Sequence, residues 1–240
     1  MPDTRSHRGM HPEDPALFAP DAVPGLGRAT DDLSLLLERG YAPLAATKLV
    51  GDRYALKQRQ RAAISRAACA ESVAASRHAR AVSAADLRGQ TLWIDGFNVV
   101  TTLEVALSQG IVLLCRDGVL RDIAGVHGSY RKVEETQPAL GLIAAFVASL
   151  DVERCHFLLD RPVSNSGRLC AVIAQQAREH GWPFEADVVP DPDRVLEHTP
   201  EIVASADGVV LDRCARWFNL AYACVRQQLP AARIIDLSGA

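Results

Sequence analysis

Five aspartates near the ends of short apolar runs are the side chains of this sequence best placed for chemistry: Asp95, Asp160, Asp191, Asp193 and Asp207. Asp95 follows the apolar run 92–94 and precedes Gly96-Phe97-Asn98. Asp160 closes Phe157-Leu158-Leu159, and Asp191 and Asp193 alternate with prolines after Val189. Asp207 stands two residues beyond Ser205, after Ile202-Val203-Ala204, with Asp212 five residues further on. Each aspartate taken singly is an ordinary loop acid or helix cap. Several gathered at one edge repel one another at neutral pH unless a cation sits among them. Oxygen-only ligands suit a hard divalent ion, Mg²⁺ or Mn²⁺.

The elements that must gather them are read from periodicity. Short apolar runs predict strands over 92–94, 155–159, 184–189, 202–204 and 233–237. Helical spacing predicts helices beginning near Pro138, over 169–179 and over 210–228. The stretch 105–120 reads as a hairpin with turns at Gln109-Gly110 and Asp117-Gly118, which makes Asp117 a turn residue. Strand–helix alternation over 87–240 predicts a parallel sheet covered on both faces, a three-layer α/β/α domain. In such sheets ligands bind at the carboxyl ends of the strands, where these aspartates fall.

Before that domain, proline-rich residues 1–28 read as a disordered leader and 29–86 as a basic all-helical module. Its helices are expected from Asp31 or Asp32 to Gly40, over 44–50 and over 57–76. Between 48 and 80 stand eight Lys and Arg residues against two acids, although the whole chain of 240 residues carries −3. Such a segment either attracts phosphates or is a solvated helix face. The six cysteines form no Cys-x-x-Cys pair, and no apolar stretch is long enough to span a bilayer. The expectation is a cytoplasmic protein with reduced cysteines and no membrane partner.

Ile94-Asp95-Gly96-Phe97-Asn98-Val99-Val100 resembles the first motif of the NYN-type branch of the PIN-like nuclease superfamily. Phe157 to Asp160 is similar to that family's second strand-end acid, Asp191-Pro192-Asp193 to its acidic helix start, and 202–207 to its later strand-Ser-x-Asp motif. The resemblance covers roughly 92 to the end, and the two-part layout resembles that of an uncharacterised prokaryotic family. It implies a PIN-like, Rossmann-like fold with Mg²⁺ or Mn²⁺ held by Asp95, Asp160, Asp193 and Asp207. Asn98 would orient a ligand or the phosphate, while Ser205, Asp191 and Asp212 would act from behind. A hairpin insert between 102 and 121 departs from the family pattern, where a helix follows the first strand.

Candidate nucleic-acid contacts are Arg121, the loop 127–132 with Arg131 and Lys132, and Ser164 and Asn165, which could equally cap the helix that follows. His156 and His198 read as structural and surface residues, and Trp93, Trp182 and Trp217 as packing. The expected function is a metal-dependent endoribonuclease acting on RNA, structured or tRNA-like species included. A catalytically silent RNA-binding or scaffold protein and a metal-dependent small-molecule phosphohydrolase are the alternatives. A homodimer through the apolar N-terminal helices is also among the expectations.

Overall fold

A computed structural model describes residues 7–123 and 130–239. Helices come first: α1 (Asp14–Leu17), α2 (Val23–Glu38), α3 (Pro43–Arg53), α4 (Gln58–Ala67) and α5 (Glu71–Arg80). The chain then alternates through β1 (Thr91–Asp95), α6 (Gly96–Leu107), β2 (Val112–Leu114), β3 (Leu120–Asp122) and α7 (Thr136–Ala148). There follow β4 (Arg154–Asp160), α8 (Ser166–His180), β5 (Phe184–Val189), α9 (Pro192–His198) and β6 (Ile202–Ala204). Last are α10 (Gly208–Arg213), β7 (Arg216–Trp217), α11 (Leu220–Gln228) and β8 (Ile234–Asp236).

The main sheet has the order β5-β4-β1-β6-β7, with every neighbouring pair parallel. Successive side chains of its strands point to opposite faces, and the central strands are apolar on both because helices cover both. Leu92 and Ile94, Phe157 and Leu159, and Ile202 and Ala204 bury against side chains of α6, α7, α8 and α11. Leu158 and Val203 face the other way, toward Leu196 of α9 and Val210 and Leu211 of α10. The result is the expected three-layer α/β/α arrangement. The chain runs from β1 outward to β4 and β5, then returns to β6 and β7 on the other flank. That reversal opens a crevice at the carboxyl edge around β1.

Five elements differ from expectation. A helix, α6, follows β1 directly, where the sequence suggested a hairpin insert beginning near 102. Its Val99, Val100, Thr101, Thr102 and Val105 favour strands intrinsically, but all are buried between the sheet and other helices. Tertiary packing overrides that local preference. The hairpin is confined to β2 and β3, antiparallel about Asp117-Gly118, with Gly118 at φ +74°. β2 also pairs in parallel with β8, so the last strand belongs to a second sheet of order β3-β2-β8. The helix expected over 210–228 is interrupted by β7, and that over 57–76 by an extended break at Ala68 and Ala70.

The described part of the expected disordered leader is ordered. Arg8 bonds Glu104 at 2.8 Å, and Asp14, Phe18 and Leu26 are buried. Pro15 and Pro24 stand in the first turns of α1 and α2, where a missing N–H is harmless. Leu26, Leu33, Val50 and Ile64 pack with Leu113, Cys115, Ile235 and Leu237 of the hairpin and β8 region. A fully buried leucine contributes about 1.5–3 kcal/mol, so the helical module is fastened to the α/β layer through the small sheet. Leu35, Leu44 and Leu49 are exposed on α2 and α3, the helices on which chain pairing was expected. No helix among the described residues is long and apolar enough to cross a membrane. All six cysteines are free, and burial pushes the Cys155 and Cys224 thiols up to about 12.

Candidate functional site

Gly96 lets β1 turn directly into α6. A Cβ there would meet Leu159 Cδ2 at 2.5 Å and the Leu158 carbonyl oxygen at 3.0 Å. The residue before it, Asp95, is thereby left at the carboxyl edge as the N-cap of α6, accepting from Asn98 N at 3.4 Å. Asn98 Nδ2 and Ser205 Oγ both donate to Asp95 Oδ2, at 2.5 and 2.7 Å. Ser205 Oγ also accepts from Asp207 N at 2.9 Å, tying the β6 loop to the end of β1. Asp207 caps α10 through Val209 N at 2.7 Å, and Asp191 caps α9 through Arg194 N at 3.0 Å. Three of these acids, Asp95, Asp191 and Asp207, are therefore helix caps as well as site candidates.

One pocket of about 250 Å³ is lined by Asp95, Asp160, Asp193 and Asp207 together. Asn98, Phe97, Thr101, Val163, Pro192, Arg66 and Asp122 complete its wall. Burial, reinforced by the charge of Asp207, pushes the Asp95 carboxyl from 3.8 up to about 6, against the help of Ser205 and Asn98. Burial and then the charges of Asp95, Asp207, Asp191 and Asp160 push Asp193 up to about 6. Asp160 is raised by burial and by Asp191. The acids are thus electrostatically in contact, with Arg66 the one basic side chain in the wall among the described residues.

Among the described residues, no group of three or more acidic, histidine or cysteine side chains is already drawn together as a coordination shell. The donor set nevertheless fits a hard divalent ion. It offers carboxylate and amide oxygens only, and its ionisation is resisted in a way that a cation would relieve.

Several expected contact residues lie elsewhere. Arg121 is buried and donates to both oxygens of Asp117, at 2.8 and 2.7 Å, and to the Ala206 carbonyl at 2.7 Å. It is not available to a nucleic acid. Asp212 bonds Arg77 Nε at 2.8 Å and does not line the pocket. Asp117 keeps its turn position but is fully buried. Although burial pushes its carboxyl up, Arg121 and Arg77 outweigh that and hold it well below the ordinary range. Asn165 stands at the N-cap of α8, but its side chain makes no capping bond there. Its Nδ2 donates to the Tyr130 carbonyl at 2.9 Å, and Tyr130 N donates to the Ser164 carbonyl at 3.0 Å.

Arg131 and Lys132 line a separate open depression with Glu134 and Gln137, while 127–129 lie outside the described residues. His156 bonds Asp187 at 2.8 Å and packs on Trp93, and His198 Nδ1 meets the Arg194 carbonyl at 2.8 Å. Most basic side chains of the segment 48–80 are paired within the chain. Lys48 and Arg61 bond Asp52, Arg59 bonds Asp14, Arg53 reaches Asp32, and Arg80 donates to the Cys214 carbonyl.

Sequence reasoning missed Asp122, Arg66 and Thr101. Asp122 is a strand-end acid like the others, and that was the available signal. It went unused because its strand was read as part of an insert and its neighbour Arg121 was read as the ligand contact.

The class so defined is a three-layer α/β/α protein with an acidic pocket at the carboxyl edge of a parallel sheet. The chain belongs to the family described as Domain of unknown function (DUF5616), whose model matches residues 84–223. Residues 25–80 match a second model, described as Protein of unknown function (DUF434). The chain is similar to the uncharacterized protein MJ0935 of Methanocaldococcus jannaschii, 28% identical over 184 residues, covering 77% of this chain and 88% of that protein. No solved structure matches.

Proposed function

We propose that this chain is a divalent-cation-dependent phosphodiesterase of the nuclease type, hydrolysing RNA, with Mg²⁺ or Mn²⁺ held by Asp95, Asp160, Asp193 and Asp207. The observation that carries the reading is the meeting of these four aspartates, from four separate segments, in one pocket. The motif resemblance to the PIN-like, NYN-type nucleases supports it independently. When bound, such a cation polarises a phosphoryl oxygen and lowers the pKa of water. The chain's own side chains position the charge. Asn98 and Ser205 both donate to Asp95 Oδ2, which fixes the carboxylate and, among the described residues, leaves Oδ1 with only the long contact from Asn98 N.

A second reading, a phosphohydrolase for a small phosphate ester, is favoured by one observation. The pocket of about 250 Å³ falls below the roughly 300–1,000 Å³ of sites for drug-sized ligands. The test is cleavage of mixed RNA and DNA substrates with Mn²⁺ or Mg²⁺, alongside small phosphate esters, in wild type and Asp95→Asn. Metal-dependent RNA cleavage lost in the variant is expected, by a factor of about 100 or more. Equal activity in the two proteins, or RNA binding without cleavage, sinks the proposal; hydrolysis of small esters alone moves it to the second reading.

A further inference from the structure

Arg66 behaves unlike the other arginines of α4 and α5. Arg59, Arg61, Arg77 and Arg80 are each engaged by acids or carbonyls, whereas Arg66 makes no hydrogen bond or ion pair among the described residues. It stands in the last turn of α4 and lines the acidic pocket from the module's side. Its backbone is held firmly: Ala63, Ile64 and Ala67 are buried, and the Ala67 carbonyl accepts from Arg116 N at 2.9 Å. A second observation comes from α6. Thr101 lines the same pocket, is 2% exposed, and its Oγ1 has no hydrogen-bond partner among the described residues. A buried hydroxyl left unmet is unfavourable until a ligand or water meets it.

The chemistry on the two sides of the pocket is complementary to one kind of ligand. The acids can take a cation, and a permanently charged guanidinium and a hydroxyl donor remain for an anion. A phosphate group satisfies both, with some oxygens toward the cation and others toward Arg66 and Thr101.

We propose that Arg66 and Thr101 form a phosphate-oxygen subsite, so that the substrate's phosphate is held between the helical module and the α/β layer. The proposal rests on reading the pocket as a cation-dependent phosphate-ester site. It gives the helical module a part in the site that its largely neutralised surface charge does not.

The test uses the full chain in two stages. Mn²⁺ binding is followed by the ion's paramagnetic resonance signal. Then, with Mn²⁺ present, uridine monophosphate and a short single-stranded RNA are titrated, by calorimetry and fluorescence anisotropy. Arg66→Ala is expected to weaken phosphate-probe binding roughly 10- to 100-fold and leave Mn²⁺ affinity within about twofold. Thr101→Val removes only the hydroxyl. It is expected to weaken the probe severalfold while the melting temperature holds or rises, a pattern that a merely structural threonine does not give. Weakening for both probes assigns the subsite to the phosphate of a small ester or a polymer alike, and weakening for RNA alone assigns it to a polymer phosphate. If wild type binds Mn²⁺ and Arg66→Ala binds both probes as tightly as wild type, the subsite is refuted and the pocket reading stands. If wild type binds no Mn²⁺, both fall together.

Discussion

Two groups of aspartates meet at the loop 205–208 and are treated in opposite ways. Ser205 and Asp207 belong to the acidic pocket, through the bond to Asp95 and the wall of the pocket itself. The intervening Ala206 carbonyl and the Gly208 carbonyl accept from Arg121 and Arg77, at 2.7 and 3.0 Å. On the arginine side, buried Asp117 is answered by two guanidinium groups, and its carboxyl sits well below the ordinary range. On the pocket side, buried Asp95 and half-buried Asp193 stand beside other acids and are pushed up to about 6. The same residue type is a structural tie where its charge is met and an unmet demand where it is not. An unmet demand persisting in an open pocket marks a place for a ligand rather than for fold stability.

Breaking the compensated group has the largest expected effect. Asp117→Asn leaves Arg77 and Arg121 buried without their shared carboxylate, and loss of one partner of a buried ion pair costs about 3–5 kcal/mol. Urea unfolding at neutral pH measures it, and a loss below about 1 kcal/mol would dissolve the contrast. The matching change in the pocket has the opposite sign. Asp95 holds its proton up to about 6 in the folded chain and releases it near 3.8 when unfolded. Between those values the unfolded chain is ionised while the folded chain is not, so this carboxyl's contribution is intact below about 3.8 and is lost as pH rises through about 6. Metal-free Asp95→Asn should therefore gain on wild type by up to about 3 kcal/mol between pH 4 and 7. A pH series of unfolding curves without divalent ions reads it, and a flat difference refutes it. Added Mn²⁺ at about 100 times its Kd should restore roughly 2.7 kcal/mol to wild type and none to the variant.

Much of the pocket was legible in the sequence because alternation and strand length fix which end of a parallel strand carries the acid. Phe157-Leu158-Leu159-Asp160 and Ile94-Asp95-Gly96 read correctly since their strands are apolar runs that stop at an acid on the carboxyl edge. Other features depended on partners distant in sequence. Arg121 and Asp122 are neighbours in a short strand, and alternation says that they point apart without saying which one meets the pocket. Arg121 goes to Asp117, and Asp122 goes to the pocket. The excess charge of 48–80 looked like a surface because its neutralising acids, Asp14, Asp32, Asp117 and Asp212, lie outside the segment. The prolines of the leader suggested disorder by composition, whereas two of them stand where helices begin.

Asp212 gives the smallest effect and the finest boundary between the two groups. Five residues after Asp207 in sequence, it reads as an outer acid of the metal site, yet its Oδ1 accepts from Arg77 Nε at 2.8 Å. Its side chain is 45% exposed, and Arg77 keeps Asp117 as a second partner. An ion pair open to water on one side contributes about 0–1 kcal/mol. Asp212→Asn should thus lower stability by less than about 1 kcal/mol and leave Mn²⁺ affinity unchanged. The double variant with Asp117→Asn should lose more than the two single losses added, because Arg77 is then left with no carboxylate at all. Tenfold weaker Mn²⁺ binding in Asp212→Asn alone would move this residue to the pocket side. The loop 205–208 would then be a shared element of one charge system rather than the divide between two.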